Sequence, residues 1–193
     1  MSSAVVTLAP DCTPGRTTTG RWVIDSRQTI VEVRLRAVPF PVRGRFTGAT
    51  GLIDIPDDIR SSQVSVAIRS DSFDTRSAVR DRRARGAALL DATAHPIVSF
   101  SANGLLPIME SVVAADGGRP LWWLPGELTV KDVTRPLRLA LGVVRLDDDG
   151  ATLQFDATAT LRRSDFGVTR FRGVIGDQID LVIRGRAHRQ HAL

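Results

Sequence analysis

Apolar and polar residues alternate along most of the chain, and this pattern constrains the fold more than any other feature. Val31, Val33 and Leu35, for example, alternate with charged residues. A period of two places one apolar and one polar row on each strand, as in an antiparallel sheet with one face against a core. The other alternating stretches are residues 64–68, 137–143, 153–159 and 179–183.

About eight such strands are separated by turn signals such as the Asp-Asp-Asp-Gly run at 147–150. Closing the strands into a barrel removes the exposed edges that a flat sheet would leave. We therefore predict an all-β fold, an extended antiparallel barrel of about eight strands. Gly44, Gly48 and Gly51 lie within strands, where a glycine suits tight coiling or the close approach of a backbone.

One segment, residues 76–90, breaks the alternation. Good helix formers predominate there, so we predict one short helix or two turns at the barrel edge or across its mouth. Asp74 and Thr75 are the candidate N-caps.

The 193 residues suit a single domain. We expect a loose leader at 1–20, one barrel domain at 21–187 and a tail at 188–193. The first ten residues lack the basic start and apolar core of a secretory signal, which predicts a cytoplasmic protein. Cys12 is the only cysteine, so no internal disulfide is possible.

The formal net charge is +5, and Lys131 is the only lysine, so nearly all of the positive charge is arginine. Most arginines alternate with acidic residues along strands, which favours solvated outer faces over a nucleic-acid surface. The exception is a cluster of five arginines between positions 76 and 85. Arg80 and Arg83 there are candidate ligands for a phosphate head group, or for transient contact with a membrane surface, although a solvated helix face paired with Asp81 is the favoured interpretation.

Neither a catalytic nor a metal site is predicted. The only histidines are His95, His188 and His191; the last two have the spacing His-x-x-His but fall in the expected tail. No Gly-x-Ser-x-Gly motif is present. We therefore expect no cofactor.

Four stretches carry a resemblance to a known family. In order along the chain they are Trp22-Val-Ile-Asp25 with the segments 42–46 and 51–54; Ser72-Phe-Asp-Thr75 with the segment 80–101; Gly126-Glu-Leu-Thr-Val130 with Val133-Thr-Arg-Pro136; and Arg163-Ser-Asp-Phe-Gly167. The chain resembles, over residues 21–187, the YceI family of lipocalin-like, polyisoprenoid-binding proteins. The resemblance implies a barrel with an elongated apolar tunnel that holds an isoprenoid lipid, either a polyprenyl phosphate or an isoprenoid quinone.

The chain departs from the family pattern in four places. Gln28 and Thr29 stand where the family often has a His-Ser pair, and a common histidine near the end of the next strand is absent from the Ala-Val-Pro-Phe run at 37–40. A head-group role for those histidines is therefore not carried over. Residues 106–119 and the pair Trp122-Trp123 are also unlike the ordinary pattern.

The leading hypothesis is a non-catalytic carrier or store of this lipid, and two rivals remain open. The first is an enzyme that uses a buried carboxylate or His95 in the same barrel. The second is a solid barrel that interacts, or dimerises with a second copy, through Trp123. For the carrier, the residues expected to face the apolar cavity are Val31, Val33, Leu35, Phe46, Leu52, Leu89, Phe100, Trp122, Leu124, Leu128, Val130 and Phe166.

Overall fold

The computed structural model describes residues 18–107, 122–148 and 150–190, which form eleven strands and one α-helix. The strands are β1 Gly20–Ile24, β2 Ile30–Ala37, β3 Val42–Phe46, β4 Ala49–Ile55, β5 Gln63–Arg69, β6 Ile97–Asn103, β7 Leu106–Pro107, β8 Trp122–Val130, β9 Val133–Leu146, β10 Thr152–Arg162 and β11 Ile175–Arg189; helix α1 is Ala78–Arg85. Within these ranges no helix has the length and apolar character needed to span a membrane.

The strands close into an antiparallel barrel. Eight of them form a ring in the order β1-β4-β5-β6-β8-β9-β10-β11, and β11 pairs with β1 to complete it. The fifteen residues of β11 are long enough to pair on one edge with β2 as well as β1, and β2 in turn pairs with β3. The predicted fold class is confirmed.

The link between β3 and β4 changes which residues face the interior. Phe46 and Ala49 are both buried although they lie three positions apart, because the connection at Thr47 and Gly48 shifts the alternation by one residue. In β4 the inward row therefore continues through Ile53 and Ile55. Leu52 was predicted to face the cavity; this was wrong, since it points outward and is 43% exposed.

One end of the barrel is filled with side chains under α1. The rings of Phe46 and Phe73 lie 4.8 Å apart, and Leu89 and Phe166 belong to the same apolar cluster. Arg85 anchors the helix by donating two hydrogen bonds to the carbonyl oxygen of Phe73.

The start of α1 differs from the prediction. Ser77 occupies the N-cap position, and neither Asp74 nor Thr75 does. The Asp81 carboxylate instead reaches back and accepts hydrogen bonds from the backbone N–H and the hydroxyl of Thr75. These bonds hold the segment that leads into the helix, and a negative charge in the first turn also interacts favourably with the helix dipole.

The last strand extends further along the chain than predicted. β11 continues through Arg189, so His188 lies in a strand and not in a tail. The Arg189 guanidinium stacks 4.4 Å from the centre of the Trp22 ring, which is fully buried. This contact covers the barrel wall where β1 and β11 meet. His191 lies outside the described residues.

Gly51 provides a test of how closely the neighbouring strands β4 and β5 approach each other. A Cβ atom at this position would lie well inside van der Waals contact of the Ser65 carbonyl oxygen, and backbone cannot move aside as a side chain can. We expect Gly51→Ala to lower the free energy of unfolding by about 2–3 kcal/mol. Guanidinium titration followed by tryptophan fluorescence measures the change.

Gly142→Ala is the matched control for this substitution. Its Cβ atom would meet Asp156 at 3.8 Å, an ordinary contact, so we expect a change of no more than about 1 kcal/mol, in the stabilising direction. Equal unfolding midpoints for the two variants would contradict the close approach at Gly51.

Candidate binding cavity

The half of the barrel away from α1 encloses an apolar cavity of about 140 Å³. Side chains from the ring strands, from β2 and from the three loops before β2, β5 and β7 line it. Thr29 and Ser62 are the only polar residues among the described lining residues, and none of these residues carries a charge.

The alternation in β8 and β9 explains one wall of the cavity. Trp122, Leu124 and Leu128 of β8 point inward, and on β9 Leu141 pairs with Trp122 and Leu139 with Leu124. At Gly126, between Leu124 and Leu128, the absence of a side chain leaves room for the ring of Phe100 on the neighbouring β6. The rows that the sequence marks as apolar therefore become a continuous apolar surface.

Five of the twelve residues predicted to face the cavity do line it: Val31, Phe100, Trp122, Leu124 and Leu128. Six others are inside the barrel but pack in or against its core without lining the cavity: Val33, Leu35, Phe46, Leu89, Val130 and Phe166. Leu52 lies on the outside, as described above. The alternation distinguishes inside from outside, but it carries no information on where along the barrel axis the interior is filled.

Several lining residues were missed. Leu153, Phe155 and Ala157 of β10, with Leu181 and Ile183 of β11, belong to alternating rows visible in the sequence. The signal for them was therefore present. Thr29 and Ser62 lie in loops, where no alternation marks them.

Ser62 differs from every other polar group at the cavity. Its Oγ atom is buried and has no hydrogen-bond partner within the part of the chain that the structure describes. Thr29 Oγ1, by comparison, accepts a hydrogen bond from the backbone N–H of Arg186. A buried hydroxyl without a partner is destabilising, and this one is covered by its neighbours and does not reach the cavity surface.

The predicted head-group residues do not line the cavity. Arg80 and Arg83 are exposed, because α1 directs them away from the barrel and presents Asp81 and Ala84 toward it. Arg80 lies in an outer groove with four other arginines: Arg43, Arg45, Arg76 and Arg184. The arginines of this outer groove are thus separated from the apolar interior.

The candidate groups for acid-base or metal chemistry also lie outside the cavity lining. His95 Nδ1 lies 3.1 Å from Asp132, in the turn between β8 and β9. Across the described residues, no three His, Cys, Asp or Glu side chains are placed to hold a metal ion together. Trp123 is half-buried, and Leu106 of β7 pairs with it.

The loop that carries Thr29 is organised by Asp25. Its carboxylate accepts hydrogen bonds from the backbone N–H of Arg27 and the side chain of Gln28, and it lies 3.1 Å from the ring of His188. The Arg27 N–H, followed by His188 and Gln28, lowers the pKa of Asp25 to about 2. The charged form of this side chain therefore stabilises the junction of β1, β2 and β11.

Comparisons of the sequence identify relatives along most of the chain. The family model of the YceI-like domain matches residues 22–187. A UPF0312 protein of Pectobacterium carotovorum is 26% identical over 171 residues, which cover 86% of this chain and 84% of that protein. A UPF0312 protein of Pseudomonas aeruginosa is 25% identical over 185 residues, 92% of each chain.

Solved structures show the same fold. Burkholderia cenocepacia BcnA superposes with a TM-score of 0.71 at 18% identity, covering 84% of this chain and 98% of that one. A polyisoprenoid binding domain from Saccharophagus degradans, implicated in plant cell wall breakdown, gives a TM-score of 0.65 at 14% identity, covering 88% and 98%.

The lowered pKa of Asp25 predicts a pH-dependent contribution to stability. A group with a depressed pKa in the folded state stabilises fully above its ordinary value of 3.8 and loses this contribution as the pH falls toward 2. We expect Asp25→Asn to lower the free energy of unfolding by about 1 kcal/mol at pH 6, and the difference to disappear near pH 2. Urea titrations across this pH range measure it.

Asp54→Asn is the control, because it makes the same chemical change at an exposed ion pair with Arg21. Such pairs contribute little to stability. A pH-independent effect of Asp25→Asn, or an equal effect of Asp54→Asn, would show that the Asp25 charge does not stabilise this junction.

Proposed function

Because the chain belongs to the YceI-like domain family, we propose that it is a non-catalytic carrier or store that holds the apolar chain of an isoprenoid lipid inside its barrel. The observation that carries this proposal is a cavity within a closed barrel whose described lining has no charged side chain. The structural likeness to a polyisoprenoid binding domain is consistent with such a ligand.

The energetics of such a site need no polar contact. Burial of apolar surface contributes about 25 cal/mol per Å², so a prenyl chain can bind tightly through its hydrocarbon alone. A prenyl chain is slender, and an eight-stranded barrel is just wide enough for side chains or one small ligand. Shape and apolarity together therefore favour an isoprenoid chain as the occupant.

The volume of the cavity limits the length of chain that it can hold. An engineered cavity of about 150 Å³ binds benzene, which has six carbon atoms. At about 140 Å³ the present cavity holds about one five-carbon isoprene unit. A longer chain requires the filled half of the barrel to open, and Phe73 and Leu89 are the side chains that move, because they lie outside the strand ladders.

The head group of the ligand is either neutral or outside the cavity. No described lining residue is a cation that would hold a phosphate within the cavity. An isoprenoid quinone has a neutral head group, which can lie inside the cavity. A polyprenyl phosphate fits if its phosphate lies outside the cavity, in water.

The rival hypothesis of an enzyme finds little support in this cavity. A general acid or base must reach the reacting atom within hydrogen-bond distance. None of the described lining residues is titratable, and His95 pairs with Asp132 outside the lining. These observations favour binding without chemistry.

The direct test is native mass spectrometry of the freshly purified protein beside analysis of an organic extract. We expect one isoprenoid lipid for each chain. A ligand-free mass, combined with no binding of added farnesol, would contradict the carrier function.

A substitution that fills the cavity tests where the ligand lies. Ala157 is buried and lines the cavity, so we expect Ala157→Leu to weaken farnesol binding by about tenfold or more, because it occupies the space that the chain needs. Titration of intrinsic tryptophan fluorescence measures the affinity.

Ala67→Leu is the matched control. Ala67 lies on β5 between the inward-facing Val66 and Ile68, so its side chain points outward. This variant should bind farnesol as the unmodified protein does. Equal affinities for both variants would place the ligand outside the cavity.

A further inference from the structure

Two neighbouring loops form an exposed apolar tip at one end of the barrel. The β2–β3 loop and the loop before β11 are joined by a hydrogen bond from the Val38 N–H to the Val174 carbonyl oxygen, 2.9 Å long. Phe40 is 76% exposed, Val38 70%, Val174 53% and Phe171 43%. These are four of the ten exposed large apolar side chains in the described residues, and they include both exposed phenylalanines.

The second loop is built to hold this shape. The buried Arg163 donates hydrogen bonds from its guanidinium to four backbone carbonyl oxygens: those of Val168, Arg170, Ile175 and Gly176. Phe171 has a φ of 60°, in the left-handed region that bulky residues rarely adopt. Strain of this kind persists where the surrounding structure enforces it. The outward position of Phe171 is therefore a fixed feature of the loop.

Arginines surround the tip. The exposed ones in and beside the two loops are Arg36, Arg43, Arg162, Arg170 and Arg172, whereas Asp165 is the only acidic residue within residues 36–43 and 162–174. The turns at the opposite end of the barrel carry four aspartates, Asp57, Asp58, Asp147 and Asp148, against one arginine, Arg60. The barrel thus carries positive charge at its apolar tip and negative charge at the other end.

A groove of about 890 Å³ lies beside this junction and is lined by residues of both loops. Val38 and Val174 line it together with Arg36 and Arg172, and the Asp177 carboxylate in its wall accepts hydrogen bonds from Ser164. This volume falls within the range of about 300–1,000 Å³ that is typical of small-molecule sites. Apolar and cationic groups side by side match a phospholipid, whose phosphate adjoins its acyl chains.

We propose that this tip docks the protein on an anionic phospholipid bilayer. Phe40 and Phe171 enter the boundary between head groups and acyl chains, while the surrounding arginines contact lipid phosphates. The proposal rests on the outer surface of the barrel and does not depend on the ligand of the cavity. A second copy of the chain is a poorer occupant, because symmetric docking through this tip would bring two arginine rims together.

Vesicle co-sedimentation tests the apolar half of the proposal. We expect the full chain to bind vesicles that contain phosphatidylglycerol more tightly than vesicles of phosphatidylcholine alone, and less tightly as salt increases. Phe40→Ser and Phe171→Ser should each weaken binding by about tenfold. Leu52→Ser is the matched control, since Leu52 has the same 43% exposure as Phe171 but lies on the barrel wall; it should bind unchanged.

The cationic half is tested by Arg36→Gln with Arg172→Gln, against Arg60→Gln at the acidic end of the barrel. The double variant at Arg36 and Arg172 should bind anionic vesicles more weakly and with a smaller dependence on salt. The Arg60 variant should bind as the unmodified protein does. Equal binding to both vesicle types, or equal loss in Leu52→Ser and Phe171→Ser, would overturn the proposal. So would a Phe40→Ser variant that binds vesicles normally but loses self-association in sedimentation equilibrium, which would assign the tip to a second copy.

Discussion

The pairing of β11 with both β1 and β2 is the constraint on which the rest of the structure depends. One edge of this fifteen-residue strand runs along β10, and the other edge is shared by β2 and then β1, which returns the sheet to β4. Closure leaves no free edge in the ring, so backbone donors and acceptors are satisfied in the wall itself. The interior can then be lined with apolar side chains alone. An apolar cavity is thus a consequence of closure, and its shape is decided by the side chains that fill the rest of the barrel.

Alternation in the sequence was sufficient to predict the barrel, and its failures have local physical causes. Leu52 was assigned to the wrong face because two linking residues between β3 and β4 shift the alternation, and nothing in the pattern of either strand reveals that shift. His188 was assigned to a tail because the apolar row fades before β11 ends; there the strand is held by Asp25 and by the stacking of Arg189 on Trp22, contacts between residues far apart in the chain.

The position of the cavity along the barrel axis could not be predicted from the sequence. Both halves of the interior are lined by the same residue types, and the difference between them lies in what covers each end. Phe73, brought in by the segment before α1, packs on Phe46 and fills one half. The other half is left partly hollow. A long-range arrangement of this kind leaves no periodic signal, which explains why Val33 and Phe46 looked equivalent to Val31 and Phe100 in the sequence.

The loop that presents the tip also helps to close the barrel. Phe166 and Val168 in this loop are buried in the main apolar cluster, whereas Phe171, a few residues further on, is exposed on the same loop. Arg163 ties these parts together through carbonyl oxygens on both sides of Phe171. A force on Phe171 is therefore transmitted to the side chains that fill the barrel. Docking at the tip would therefore act beside Phe166 and Val168, whereas Phe73 and Leu89, which must move to admit a long chain, lie in the segment around α1. The two events involve different loops that meet in one apolar cluster.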